Sequence, residues 1–185
     1  MGDNINGPSL IEAPAWLPNR LGRYYLYFGH HDGRYIRLAV ADDIAGPWRM
    51  HEPGVLPLAN SGFAGHIASP DVHVDEANQQ IRMYYHGCDL PTGQQGEQPT
   101  RVALSSDGLH FEARAENLGG SYFRVFQHEN WHYALVMPGQ FLRSRDGLTE
   151  FEPGPVVFAA SMRHSAGQIR TSQLTVVYSI VGDAP

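Results

Sequence analysis

Acid–base catalysis, metal binding and recognition of hydroxyl groups all draw on carboxylates and imidazoles. This chain of 185 residues offers 19 Asp and Glu and 10 His. Their densest array is Asp71-Val72-His73-Val74-Asp75, whose polar members alternate and would share one face of a strand. Successive positions on one face rarely converge on a single ion, so the sequence points to no metal site. Asp75, followed by Glu76 and Asn78, reads as the start of a turn. The histidines show no His-x-x-x-His or His-Glu-x-x-His spacing, and neither a Gly-x-Ser-x-Gly elbow nor a phosphate loop is present. Serine-hydrolase and nucleotide chemistry lack support. Cys88 is the only cysteine, which excludes intrachain disulfides and cysteine-based zinc sites.

The elements that must position these groups are short strands. With 20 Gly and 13 Pro, the chain is punctuated too often for long helices. Between the breakers lie runs rich in Tyr, Phe, Val and Ile, which suit a pleated, half-buried surface. Residues 24–28, 81–85, 132–136 and 174–178 read as strands, and no segment sustains a helical apolar period. The chain reads as all-β. A repeat underlies it: Ala41-Asp42-Asp43-Ile44 before Trp48, Ser105-Ser106-Asp107-Gly108-Leu109 before Phe111, and Ser144-Arg145-Asp146-Gly147-Leu148 before Phe151. In each, an Asp can bond the backbone two residues on, and an aromatic then opens an outer strand. Preceding each turn is a third strand (35–41, 101–105, 140–144), and each unit begins at a marked start such as Gly7-Pro8-Ser9-Leu10 or Ser69-Pro70-Asp71-Val72. Four antiparallel strands repeated in this way are the blades of a β-propeller. One partial propeller domain over residues 1–185 is expected, with blades near 5–60, 64–117 and 120–158 and an incomplete one at 162–185. Closure needs about 4–8 blades, so a fragment of a longer, five-bladed chain is expected.

The blade starts, the Tyr-Tyr-x-Tyr-Phe strand and the Asp-Gly-Leu turns resemble the five-bladed propeller glycoside hydrolases around families 43, 32 and 117. The similarity is greatest to uncharacterised family 43-like bacterial proteins. The resemblance implies a funnel at one end of the axis and hydrolysis of a glycosidic bond in a plant or algal glycan by general acid–base catalysis. It further implies a base in the first blade, an Asp that tunes the acid in the second, and an acid in the third. Asp71 matches the second. Gly7 stands where the base belongs, with Asn6 beside it, and Gly119, Gly120 and Ser121 precede the third inner strand without a Glu. Cleavage ordinarily needs two carboxyl groups across the scissile bond. A non-catalytic carbohydrate-binding propeller is therefore the alternative reading.

On this reading Asp71 is the catalytic candidate, though it could equally bond a neighbouring blade. Asn6, Ser9, His66, Arg124 and His164 are the candidate substrate contacts. His66 and His164 could bond sugar hydroxyls or a loop carbonyl; Arg124 could meet a carboxylate-bearing sugar or an Asp across blades. Trp16, between Pro14 and Pro18, is the candidate stacking platform. No cofactor is expected, and a calcium ion on the propeller axis enters by resemblance alone. The expected partner is a carbohydrate. A net charge of −6 with scattered Lys and Arg argues against nucleic acid. No run nears the ~18 apolar residues of a membrane helix, and the N-terminus shows no signal-peptide pattern.

Overall fold

In a computed structural model, residues 5–30, 33–90, 94, 96–157, 164–170 and 173–179 are described, the last two segments by backbone alone. Strands account for nearly all of the regular structure. The first sheet is β1 (Asn6–Glu12), β2 (Tyr24–Gly29), β3 (Tyr35–Ala41) and β4 (Arg49–Pro57). The second is β5 (His66–Asp75), β6 (Gln80–Cys88), β7 (Thr100–Ser105) and β8 (Glu112–Ala113), and the third is β9 (Arg124–His128), β10 (Trp131–Val136), β11 (Gln140–Ser144) and β12 (Glu152–Val156). β13 (His164–Arg170) and β14 (Gln173–Ser179) form a two-stranded sheet. Each four-stranded sheet is an antiparallel meander in chain order, β1 packs against β5, and β9 packs against β13. These are propeller blades, as the sequence predicts. The expected strand positions hold in all four units.

Local chemistry explains the repeat. Asp43 Oδ1 accepts from Ala45 N at 2.8 Å, Asp107 Oδ1 from Leu109 N at 2.8 Å, and Asp146 Oδ1 from Leu148 N at 2.8 Å. Each bond closes a turn two residues long, as the sequence implies. Burial opposes ionisation of Asp146, yet its backbone and hydroxyl donors outweigh it and hold the carboxyl down at about 2.

The turns also join blades. Tyr27 Oη donates to Gly108 O at 2.9 Å, and one blade on, Tyr84 Oη donates to Gly147 O at 2.7 Å. Gly147 takes φ +70°, and a Cβ there would lie 2.7 Å from the His132 ring of its own blade and 2.9 Å from Arg82 Nη1 of the second, so glycine suits this crowded turn. Two apolar clusters fill the seams. Ile11, Tyr25, Tyr27, Val72, Ile81, Met83 and Phe111 meet between the first and second blades. Tyr84, Phe123, Val125, Ala134, Val136 and Leu142 meet between the second and third. Phe111 contacts Tyr27 edge-on at 5.8 Å, which adds directed packing to the buried area.

Candidate functional site

The first three inner strands each carry a backbone knuckle at or near their start. Gly7, Ser69 and Tyr122 have φ of +50°, +51° and +55°, and the pairing register shifts between Asn6 and Ser9 and between Ala68 and Asp71. These bulges turn the strand and re-aim the residues that follow. They make Ser9, Asp71 and Arg124 equivalent positions, each two residues beyond a knuckle. Ser9 Oγ accepts from Val72 N at 2.9 Å, and Asp71 Oδ2 accepts from Val125 N at 2.8 Å. The same stitch to the next blade is made twice, by a hydroxyl and then by a carboxylate.

Asp71 is the focus of the site. Its side chain is 14% exposed and Oδ2 also meets His73 Nε2 at 2.8 Å. Arg124 Nη1 lies 4.0 Å from Oδ1 and bonds Pro70 O at 3.2 Å, so it caps the knuckle carbonyl beside the carboxylate. Burial pushes the Asp71 carboxyl up, but His73, Arg124 and the Val125 N–H together prevail and hold it below the ordinary Asp range. Asp71 is thus ionised at neutral pH, and among the described residues its hydrogen bonds fall on Oδ2.

A cavity of about 600 Å³ runs from this carboxylate along the inner strands, lined by Pro8–Leu10, Asp71–Asp75, Arg82, Tyr84, Arg124–Gln127 and His132. Of the sequence candidates, Asp71, Ser9 and Arg124 meet here. Asn6 is buried and bonded through Oδ1 to Ser69 Oγ, above the cavity. His66 begins β5 opposite Cys88 and does not line it. His164 begins β13, and its side chain lies outside the described residues. Trp16 is not a platform at this end. It donates to Glu76 Oε2 at 2.8 Å, in the turn after β5, and packs on the first core cluster. His86 is buried within β6 with its ring 4.9 Å from Tyr122. His73 is the neighbour of Asp71 absent from the sequence candidates, although its place two residues on was the signal. Among the described residues no group of three or more His, Cys, Asp or Glu is placed to hold a metal ion.

Gly7 explains why a first-blade carboxylate is missing. A Cβ there would sit 2.5 Å from Ser69 Cα, inside any tolerable contact. The knuckles of the first two blades pack against each other at this point, so a side chain is sterically excluded.

No protein-family model matches the sequence. An uncharacterized protein of Acanthamoeba polyphaga mimivirus is 32% identical over 216 residues, a match covering 98% of this chain and 60% of that protein. Solved structures share the fold. A family 43 arabinoxylan arabinofuranohydrolase from Bacillus subtilis, in complex with cellotetraose, superposes with a TM-score of 0.68 at 19% identity, over 92% of this chain and 42% of that one. The exo-beta-1,3-galactanase of Phanerochaete chrysosporium with beta-1,3-galactotriose gives 0.72 at 10% identity, over 97% and 44%. A family 117 glycoside hydrolase from Zobellia galactanivorans gives 0.60 at 15% identity, over 98% and 71%. The architecture is that of the glycoside hydrolase propellers.

Proposed function

We infer that the chain binds a carbohydrate in the cavity beside Asp71, with the ionised carboxylate accepting bonds from sugar hydroxyls. One observation carries this reading: Asp71 lines the cavity, its Oδ2 is consumed by Val125 N–H and His73, and among the described residues Oδ1 has only the Arg124 guanidinium at 4.0 Å. A fixed, desolvated acceptor gains more from a hydroxyl donor than one in water does. The cavity volume falls within the roughly 300–1,000 Å³ of small-molecule sites.

A second reading, hydrolysis of a glycosidic bond in a plant or algal oligosaccharide, is favoured by the Asp71–His73 contact, since an imidazole beside a carboxylate can carry a proton. Against it, both carboxyl groups lining the cavity, Asp71 and Asp75, are held below the usual range. Neither is then a proton donor near neutral pH, as an acid catalyst must be.

Calorimetric titration with xylotriose, cellotetraose and beta-1,3-galactotriose tests the inference, beside an assay for released reducing ends. Binding of at least one by the wild type, weakened about tenfold or more in Asp71→Asn, is the expected result. Binding of none, or equal binding by the variant, overturns it. Reducing-end release that disappears in both Asp71→Asn and His73→Gln selects hydrolysis.

A further inference from the structure

The two complete seams of this propeller are built on the same template, and they are filled differently. The stitches from Ser9 to Val72 and from Asp71 to Val125, with the strand registers, align them position by position. In the first seam Ile11, Ala13 and Tyr25 face Val74 and Ile81, and the contact is apolar. In the second, His73 stands at the place of Ile11, Asp75 at that of Ala13, and Arg82 at that of Tyr25. Across from them Gln127 replaces Val74, and His132 replaces Ile81. All five apolar positions have become polar.

The change is confined to one half of the seam. Nearer the knuckles, Tyr27 corresponds to Tyr84 and Val72 to Val125, and both seams keep apolar packing beside the Ser9 and Asp71 stitches. Burying polar groups costs stability unless each is paired, and apolar residues of similar size usually serve packing at least as well. Packing alone therefore does not call for the replacement. The polar half-seam also borders the cavity that begins at Asp71.

Its charges are spent internally. Arg82 is 10% exposed, pairs with Asp75 and donates to Asp146 O at 2.5 Å. What remains to a ligand is His73, 38% exposed and anchored to Asp71 by one ring nitrogen, with the exposed amide of Gln127, which His132 orients through its Nε2, 2.6 Å from Gln127 Nε2, while its own Nδ1 is buried. Burial, with Arg82 beside it, lowers the His132 pKa and keeps that imidazole neutral at neutral pH. The accessible set is thus the His73 imidazole and the Gln127 amide. Such groups suit a neutral, hydroxyl-rich molecule rather than an anion or a cation.

We propose that the polar half of the second seam is a subsite for a further neutral sugar residue, extending the site at Asp71 along the cavity toward Gln127 and His132. This rests on the carbohydrate reading above and adds to it a chain-length preference.

The test restores the first seam's residues in the second, as the double variant Gln127→Val with His132→Ile, and compares xylose with xylotriose by calorimetry. The wild type is expected to bind xylotriose about tenfold more tightly than xylose, and the double variant to lose that gap. Gln127→Ala, at an exposed strand end, narrows the gap in the same direction and serves if the double variant does not fold. A gap that persists in the folded variants, with thermal stability raised, overturns the subsite and makes the polar seam a packing feature. A wild type that binds both sugars equally overturns it too. A wild type that binds neither overturns the carbohydrate reading itself, and the subsite with it.

Discussion

Asp71 holds its position through one backbone donor and two cationic or protonatable side chains, and its removal should be felt in stability as well as binding. Asp71→Ala strands the Val125 N–H and takes the nearby anion from the Arg124 guanidinium, a loss of about 3 kcal/mol measured by denaturant unfolding. The sign with pH follows from the shift. A folded pKa below the unfolded one makes the carboxylate's contribution full above about pH 4 and lost as pH falls through the folded value. The stability difference between wild type and Asp71→Asn should therefore narrow as pH falls below about 4; a difference that stays constant on acidification would contradict the ionised network. Gly7 gives the opposite kind of prediction. Gly7→Asp puts back a carboxylate where the hydrolase resemblance wants a base, yet its Cβ meets Ser69 Cα at 2.5 Å with φ at +50°. The expected result is destabilisation by about 3 kcal/mol with no gain in glycoside cleavage, read from thermal melts and an aryl-glycoside assay.

At the scale of strands and turns, a tyrosine hydroxyl on one carbonyl, reinforced by Arg82, helps join the second blade to the third. Tyr84→Phe leaves Gly147 O without its 2.7 Å donor in a buried place, a loss of about 2 kcal/mol. Asp146→Ala removes acceptors for Leu148 N, Thr149 N and Thr149 Oγ1 and should lower stability by about 1–2 kcal/mol at neutral pH. That loss should fade as pH approaches 2, where the wild-type carboxyl is itself protonated. These turns and the Tyr-rich strands were legible in the sequence because both are local: period-two patterning and an Asx bond spanning two residues need no tertiary knowledge. Trp16 was not legible, since its partner Glu76 lies 60 residues away. Nor was the burial of His86, because β6 continues through it to Cys88.

For the molecule as a whole, the blades gather their inner strands around one cavity, and each candidate from the sequence that reaches it sits two residues past a knuckle. The residue types at those points, Ser9, Asp71 and Arg124, were readable from the repeat. Their bonds were not. Ser9 and Asp71 both hold the next blade's backbone, while Arg124 meets Asp71 across the seam, a relation fixed by how blades pack rather than by spacing along the chain. The chain spans 60% of the length of its mimiviral relative, and the shared fold leaves the choice between binding and cleavage to the site. The most direct measurement is a crystal structure of the chain soaked with xylotriose. Sugar hydroxyl density about 3 Å from Asp71 Oδ1, within the cavity between the inner strands, is the expected result. Density only on an outer blade surface, or a cavity filled by water alone at saturating sugar, would contradict the assignment of this carboxylate as the anchor of the site.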